Sequence, residues 1–499
     1  MDFDYERYQP VPVRYELRYL MLQKLRMEED PFPDIQGRDL TKQDLIRAIL
    51  SNSHPYLVSR EGTGKTKLAE SLAKLLPPVP KIKGCPYNCD PKWPEDYKCP
   101  SCRGIEDPEI ELITGKERYS RIQGNEYTNE AKILGVKDIQ AIVQGDSPTD
   151  PRAFIGTGVL RGNRGIVVVD ELPAIPTKVQ VLFHPMLQEN KIILEEYAWE
   201  RPIDIFFIAT GNPTGFAHVN RIPEPLLDRL ELIPMGLPAE SIERDIMYRE
   251  QFRVIEDPYS DEDDKRTDPL YVKLPSLKRQ VAAPWWIVDL IVKATRYTRE
   301  CPNIERGASI RGSIRALDHT YSSTEMRKAH ICGIMDALFG LNLALRGRVR
   351  IRADLIGFDD KPGDMMIKNN EVIEDVMYYA VHEVGQKMIA AFEGNQRELV
   401  KEVDKLVSSD METPDSLDDY PNAAELLQWI HDSGPLQPKR LVDSLEEQLS
   451  FNLESINQEV LWEYRRSALE IIANLVLSKD TLNYLTEHNL LFVPRRMET

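Results

Sequence analysis

Gly62-Thr63-Gly64-Lys65-Thr66 is the stretch that decides the fold of this chain. It follows the apolar run Pro55-Tyr56-Leu57-Val58 and precedes the helix-like Leu68-Ala69-Glu70-Ser71-Leu72-Ala73. Strand, glycine turn, Lys-Thr and helix is the order a phosphate cradle needs. Turn N–H groups and the helix N-terminus face the anion, Lys65 neutralises phosphate charge, and the Thr66 hydroxyl can bind Mg²⁺. The full pattern wants a glycine six residues before the lysine, and this chain has Ser59 there.

Other parts of a nucleotide-hydrolysing site follow in order. Ile166-Val167-Val168-Val169-Asp170-Glu171 is an apolar strand ending in two acids. At a strand's carboxyl end Asp170 can hold Mg²⁺, and Glu171 can polarise the water that attacks the γ-phosphate. The plain alternative, a buried strand followed by a helix-capping acid pair, loses ground once the upstream phosphate turn is counted. Phe206-Phe207-Ile208-Ala209-Thr210-Gly211-Asn212-Pro213 is a second buried strand ending in an amide. Asn212 can hydrogen-bond the γ-phosphate or the attacking water; Gly-Asn-Pro is also turn chemistry, and both readings can hold at once.

Two arginines complete the set. Arg229, after Pro225-Leu226-Leu227-Asp228, sits at the end of a predicted helix and can serve a neighbour's nucleotide. Arg311, in Ser309-Ile310-Arg311-Gly312, starts a later helix and can touch the phosphates in cis. The plain alternative for Arg229 is a surface ion pair with Asp228, and for either arginine alone the bland reading wins.

Strand and helix signals alternate from about 55 to 236, which predicts an α/β core, a parallel sheet with helices on both faces. Buried-strand candidates are 56–58, 166–169 and 203–209. Residues 1–50 read as helical through Tyr15, Leu17, Leu20, Leu22 and Leu25, then Leu45, Ile46 and Ile49. From Pro238 the pattern turns helical, with an acidic loop at 257–264, a boundary at Lys361-Pro362-Gly363 and a polar break at 408–419. Later helices are predicted around Leu441-Leu445-Leu449 and Leu461-Tyr464-Leu469-Ile472-Leu475.

At 499 residues, 42% of them hydrophobic, the chain has room for several domains with real cores. A net charge of −18 argues against wrapping nucleic acid in a general electrostatic field. The apolar run Trp285-Trp286-Ile287-Val288 is interrupted by Asp289, so no membrane span is predicted. The acidic N-terminus is unlike a signal peptide, and the six cysteines do not make a disulfide framework. A reducing, cytoplasmic setting is expected.

Four of those cysteines cluster as Cys85-x3-Cys89-x9-Cys99-x2-Cys102. Two close pairs across a short polar loop suit tetrahedral Zn²⁺, and a metal can order a loop that has few apolar residues. Free thiols are the plain alternative and an iron–sulfur cluster a minor one. Four cysteines leave no open position for catalysis by the metal.

By these motifs the chain resembles the AAA+ ATPases of the magnesium-chelatase I-subunit and MoxR type, in the clade with an insert in helix 2. The resemblance runs from about Phe32 to Gly357. It rests on Glu61 to Thr66, Leu160-Arg161-Gly162-Asn163-Arg164-Gly165 before the Asp-Glu strand, Ala209 to Pro213, Leu226 to Arg229, Gly307 to Arg311 and Ala344 to Val349. Phe252 through Pro258 is similar to the chelatase lid, and Gly84 to Pro91 to a chelatase segment, whereas Gly-Ala-Ser-x-Arg at 307–311 is closer to MoxR proteins.

The resemblance implies ATP and Mg²⁺ as cofactors. Gly62, Thr63, Gly64, Lys65 and Thr66 stand where Walker A stands, Asp170 and Glu171 where Walker B stands, Asn212 at sensor 1, Arg229 at the arginine finger and Arg311 at sensor 2. It implies an AAA+ core over 32–237, preceded by a segment over 1–31 that reads as helical from its own pattern. That core carries the cysteine insertion at 84–104 and the helix-2 insert near 125–162. A helical lid over 238–360 follows; the extension over 361–499 reads as helical by periodicity and matches neither the chelatase nor the MoxR pattern. The resemblance also implies a homo-oligomeric ring, usually a hexamer, working with a separate von Willebrand factor A protein or chelatase subunit. The leading expectation is an ATP-hydrolysing motor that remodels a partner, for metal insertion or metalloprotein maturation. A nucleic-acid translocase and a nucleotide-gated scaffold are the competing readings. Lys132, Lys137 and Arg152 would serve the first of these, but Asp138, Asp146 and Asp150 lie among them.

Overall fold

The computed structural model describes residues 3–59, 63–197, 199–212, 220–251, 281–357, 362–390, 394–408, 419–432 and 458–476. Gly62, the acidic loop at 257–264 and the predicted helix around Leu441–Leu449 lie outside them. The chain divides into two compact units, Met1–Pro238 and Ala239–Thr499.

The first unit is built on five parallel strands: β1 (His54–Val58), β2 (Tyr119–Gln123), β3 (Gly165–Asp170), β4 (Ile205–Gly211) and β5 (Leu230–Pro234), in the order β5-β1-β4-β3-β2. Every residue of β3 and β4 is buried. Their near-continuous apolar runs are what a strand covered on both faces requires. Successive side chains alternate faces and so feed two cores. Ile166, Val168, Phe206 and Ile208 pack with Leu17, Met21, Leu45, Ile49, Leu68 and Leu72 of the helices on one side. Val167, Val169, Phe207 and Ala209 pack with Leu160, Phe183, Met186 and the four clustered cysteines on the other. The doubly covered parallel sheet expected from the sequence is the fold observed.

Three differences from the sequence reading are local. Ile203 and Asp204 precede β4 rather than opening it; the Asp204 carbonyl accepts from the N–H of Arg164. The N-terminal helix, Val13–Arg26, buries Val13, Leu17 and Met21, while Tyr15 and Leu25 face outward. An i, i+4 spacing makes the narrower buried stripe. Strands β2 and β5 carry no apolar run, because β2 buries only Ile122 and β5 only Leu230 and Ile233.

Asp204 caps that first helix from across the fold. Pro12 precedes the helix and offers no side-chain cap, so the Val13 N–H donates to both Asp204 carboxylate oxygens at 3.0 and 3.1 Å. Burial pushes the Asp204 carboxyl up to about 6, with the Val13 bond opposing the shift. The folded chain therefore holds this proton through a pH window in which the unfolded chain has lost it. Stability from this group falls as pH rises from about 4 to about 6 and is flat above. Relative to Asp204→Asn, the wild type should lose up to roughly 3 kcal/mol between pH 4 and 7. Urea denaturation of the two proteins at each pH checks this; parallel pH profiles would dismiss it.

Between β2 and β3 the chain makes an antiparallel ribbon, Gly135–Lys137 with Phe154–Gly156, carrying a short helix, Ile139–Val143, whose Ile139 and Val143 are exposed. This is the segment expected as the insert.

In the second unit the helices Glu240–Gln251, Trp285–Tyr297, Ile310–Met326, Ile334–Leu345, Pro362–Ala390, Gln396–Ser408, Pro421–Asp432 and Gln458–Val476 are described. One hydrophobic cluster runs from Met247 to Ala473, so residues on both sides of 361 share a core. Trp286 Nε1 donates to Ser467 Oγ, which donates to the Cys332 carbonyl. Asp289, the acid that interrupts the apolar run at 285–288, is buried and paired with Arg244 and Lys387. No described helix is long and apolar enough to cross a membrane.

Candidate functional site

The parallel register brings the ends of three strands together. Val58 pairs with Gly211, and Ala209 with Val169, so Ser59, Asp170 and Asn212 emerge at one carboxyl edge. The helix Lys65–Ala73 starts at the same edge. Gly64 holds φ = 88° at its N-cap, a left-handed conformation that favours glycine.

Lys65 is buried, and its Nζ donates to the Ser59 carbonyl at 2.8 Å and to Asn212 Oδ1 at 3.0 Å. Asn212 Nδ2 in turn donates to Glu171 Oε2 at 3.2 Å. Asn212 thus bridges the phosphate lysine and the acid expected to activate water. Thr66 Oγ1 lies 3.4 Å from Asp170 Oδ2, and Thr210 Oγ1 donates to Asp170 Oδ1 at 2.5 Å. A hydroxyl and a carboxylate side by side make an oxygen donor set of the kind Mg²⁺ takes. Glu171 adopts φ = 58°, which turns the chain sharply after β3, and its N–H donates to Thr210 Oγ1.

Ser59, the departure from the expected glycine, is buried with its hydroxyl against Thr63 Oγ1 and its carbonyl on Lys65. The serine side chain is therefore satisfied within the turn. Of the Walker A residues, Thr63, Gly64, Lys65 and Thr66 are described and Gly62 is not.

Reading the sequence missed three contributors. Arg121 on β2 pairs with the Asp170 carboxylate. Thr210 orders both Asp170 and the turn at Glu171. At Gly124 a Cβ would meet the Glu171 carbonyl at 2.3 Å, so the end of β2 passes only as glycine. Arg121 lies in a half-exposed strand without a motif and Gly124 just follows it, and only pairing with β3 brings them to the site.

Arg229 stays away from the cluster: it bonds the Pro225 carbonyl and Gln188 Oε1. No ion pair joins it to Asp228 among the described residues. Arg311 is exposed in the first turn of its helix in the second unit.

The four cysteines converge as their spacing predicts. Their sulfurs lie within 4.8 Å of one another, all four residues are buried, and none forms a disulfide. The Cys85 and Cys99 sulfurs are 3.9 Å apart. A tetrahedron with metal–sulfur bonds of about 2.3 Å has edges of about 3.8 Å, close to the Cys85–Cys99 separation, so the donor set suits Zn²⁺. Around the cluster, Asp90 pairs with Arg164 at 2.6 Å and accepts from the Tyr8 hydroxyl, while Asn163 Nδ2 donates to the Tyr87 carbonyl. The cysteine loop is thereby fastened to the residues that lead into β3.

Residues 110–230 match the family model described as AAA domain (dynein-related subfamily). With the sheet order and the convergent strand ends, that match places an AAA domain in the first unit. A magnesium-chelatase 67 kDa subunit of Heliobacterium mobile is 27% identical over 193 residues, covering 37% of this chain and 28% of that protein. A magnesium-chelatase subunit ChlI homolog of Methanocaldococcus jannaschii is 28% identical over 209 residues, covering 41% and 53%. The chloroplastic magnesium-chelatase subunit ChlI-2 of Arabidopsis thaliana is 29% identical over 194 residues, covering 37% and 44%. The chain is thus similar to magnesium-chelatase subunits over this region. The match spans about half or less of these relatives' own lengths.

Proposed function

We propose that this chain hydrolyses ATP as one subunit of a ring and that the ring remodels a partner protein, for metal insertion or metalloprotein maturation. The observation that carries the reading is the line from Lys65 through Asn212 to Glu171, beside Thr66 and Asp170. Lys65 and the first amides of its helix bind the phosphates of ATP. Thr66 and Asp170 would hold Mg²⁺, which supplies charge neutralisation at the phosphate oxygens. Glu171 accepts the proton of the attacking water, and Asn212 keeps that carboxylate and Lys65 in register. Arg311 serves as the cis sensor.

The ring is hexameric in this reading, and Arg229 serves the neighbouring subunit. Its partners within its own chain are a carbonyl and an amide at the surface, which leaves the guanidinium charge for another subunit's phosphate. Chains carrying Lys65→Ala and chains carrying Arg229→Ala should each lose ATPase activity, by about 10³-fold for the arginine. Mixed, they should regain part of it, because a mixed interface pairs an intact phosphate site with an intact arginine. A mixture as inactive as its parents would show that Arg229 is not donated in trans.

Similarity to chelatase subunits supports a separate chelatase or von Willebrand factor A subunit as the partner, in a cytoplasmic setting; a MoxR-type chaperone role uses the same machinery. The apolar, exposed tip of the insert, Ile139 and Val143, suits a protein partner better than a phosphate backbone. The four cysteines hold a structural Zn²⁺, supported by the 3.9 Å sulfur separation.

A further inference from the structure

Arg201 is the most deeply buried cation beside the cysteine cluster, and nothing in the ATP site uses it. It lies on the strand Trp199–Pro202, which pairs with Lys191–Leu194, and its side chain is 1% exposed. Its Nη2 donates to Cys89 Sγ at 3.3 Å, and its guanidinium carbon sits 5.2 Å from the centre of the Tyr87 ring. Its Nε and Nη1 are buried with no hydrogen-bond partner among the described residues. The nearby carboxylate of Asp90 is already taken by Arg164. A guanidinium cannot shed its charge, and an unpaired buried charge costs several kcal/mol. Four neutral thiols would leave that cost uncompensated.

The sulfurs themselves point the same way. Cys89 Sγ accepts a second bond from the Cys99 N–H at 3.1 Å, and Cys85 Sγ accepts from the Tyr87 N–H at 3.4 Å. Three N–H donors converge on two sulfurs. A thiol sulfur is a weak acceptor, whereas a metal-bound thiolate is a strong one. Arg201 also lines a cavity of about 600 Å³ with Trp93, Tyr97 and Asp204. Its Nε and Nη1 expose no surface there, so an anion entering that cavity is not their partner.

We propose that Arg201 is the positioning residue and countercharge of an anionic metal–tetrathiolate centre formed by Cys85, Cys89, Cys99 and Cys102. The inference rests on the zinc reading above and adds to it the residue that makes the centre's charge tolerable. Four thiols give up four protons to solvent as one divalent cation binds, leaving a centre of charge −2 that Arg201 reduces to −1. Metal loading then orders more than the loop. Tyr87, under the guanidinium, donates its hydroxyl to the Phe154 carbonyl at 2.8 Å and accepts from the Gly156 N–H at 3.0 Å. The centre is thus tied to the base of the insert ribbon.

The test uses the full chain, with Zn²⁺ and Co²⁺ as probes. Wild type should bind one metal ion per chain, and its Co²⁺ form should show the visible bands of tetrahedral thiolate ligation. Arg201→Gln, which keeps a polar N–H donor and loses the charge, should bind metal about 10- to 100-fold more weakly in competition with a chromogenic chelator. Arg201→Lys should recover most of that affinity but shift the sulfur-to-cobalt charge-transfer band, because the bond to Cys89 changes. Equal metal affinity in a folded Arg201→Gln protein overturns the role of Arg201. If that variant does not fold, an unshifted band in Arg201→Lys overturns it instead. A folded wild type that binds neither metal removes the metal centre itself, and with it both readings.

Discussion

Replacing Glu171 with glutamine should stop ATP turnover while leaving ATP bound. Glutamine keeps a side-chain oxygen where Asn212 Nδ2 now donates at 3.2 Å, so the line from Lys65 to residue 171 survives. What is lost is the carboxylate's ability to take a proton from water at neutral pH. Loss of a general base costs about 10²- to 10⁴-fold in rate. Phosphate release should fall to that extent, while a fluorescent ATP analogue binds as in wild type. Lys65→Ala makes the contrast: it removes the charge facing the phosphates, so binding itself should fail. Because Lys65 donates to both Ser59 and Asn212, its loss also frees the sensor amide. Undiminished hydrolysis by Glu171→Gln would take Glu171 out of the chemistry and leave the scaffold reading in its place.

Removing the metal should have the second large effect, on stability. The loop over 84–104 contains only one short 3₁₀ turn, Glu95–Tyr97, as regular structure, yet its four cysteines are part of the core on one face of the sheet. Take away the cation and that core keeps four sulfurs beside a buried guanidinium. Chelation of the wild type, or Cys89→Ser with Cys102→Ser, should cost at least several kcal/mol, since binding energy in such sites is folding energy. For a unit of this size that is a fall in Tm on the order of 10 °C. The fall should be absent in the cysteine variant when chelator is added to it. A wild-type melting curve indifferent to a strong chelator would dismiss the structural metal.

The two sites differ in how far they were legible beforehand. Lys65, Thr66, Asp170, Glu171 and Asn212 were found because each sits in a local pattern: a glycine turn, or an apolar run that stops at a polar residue. The cysteine cluster was found by spacing alone. Arg121, Thr210 and Arg201 carry no such pattern. Arg121 lies in the half-exposed strand 119–123, and Arg201 in a short ribbon strand between Glu200 and Pro202. Their importance comes from what the sheet register and the loop packing set against them.

By itself the sequence determined the class of fold and the place of the ATP site, because alternation of buried strands with helices, and residues at strand ends, are properties of short stretches. Local patterns also specified the turn at 62–66, with Ser59 as its anomaly. Only the tertiary structure decided what that anomaly means and how the site is wired. The Val58–Gly211 register sets the Ser59 carbonyl and Asn212 Oδ1 on the same lysine. It likewise took the folded chain to set Arg201 against Cys89, a contact between residues 112 positions apart. A hydrogen bond's worth depends on burial and on what else the group can reach, and for residues distant in the chain both are set by packing.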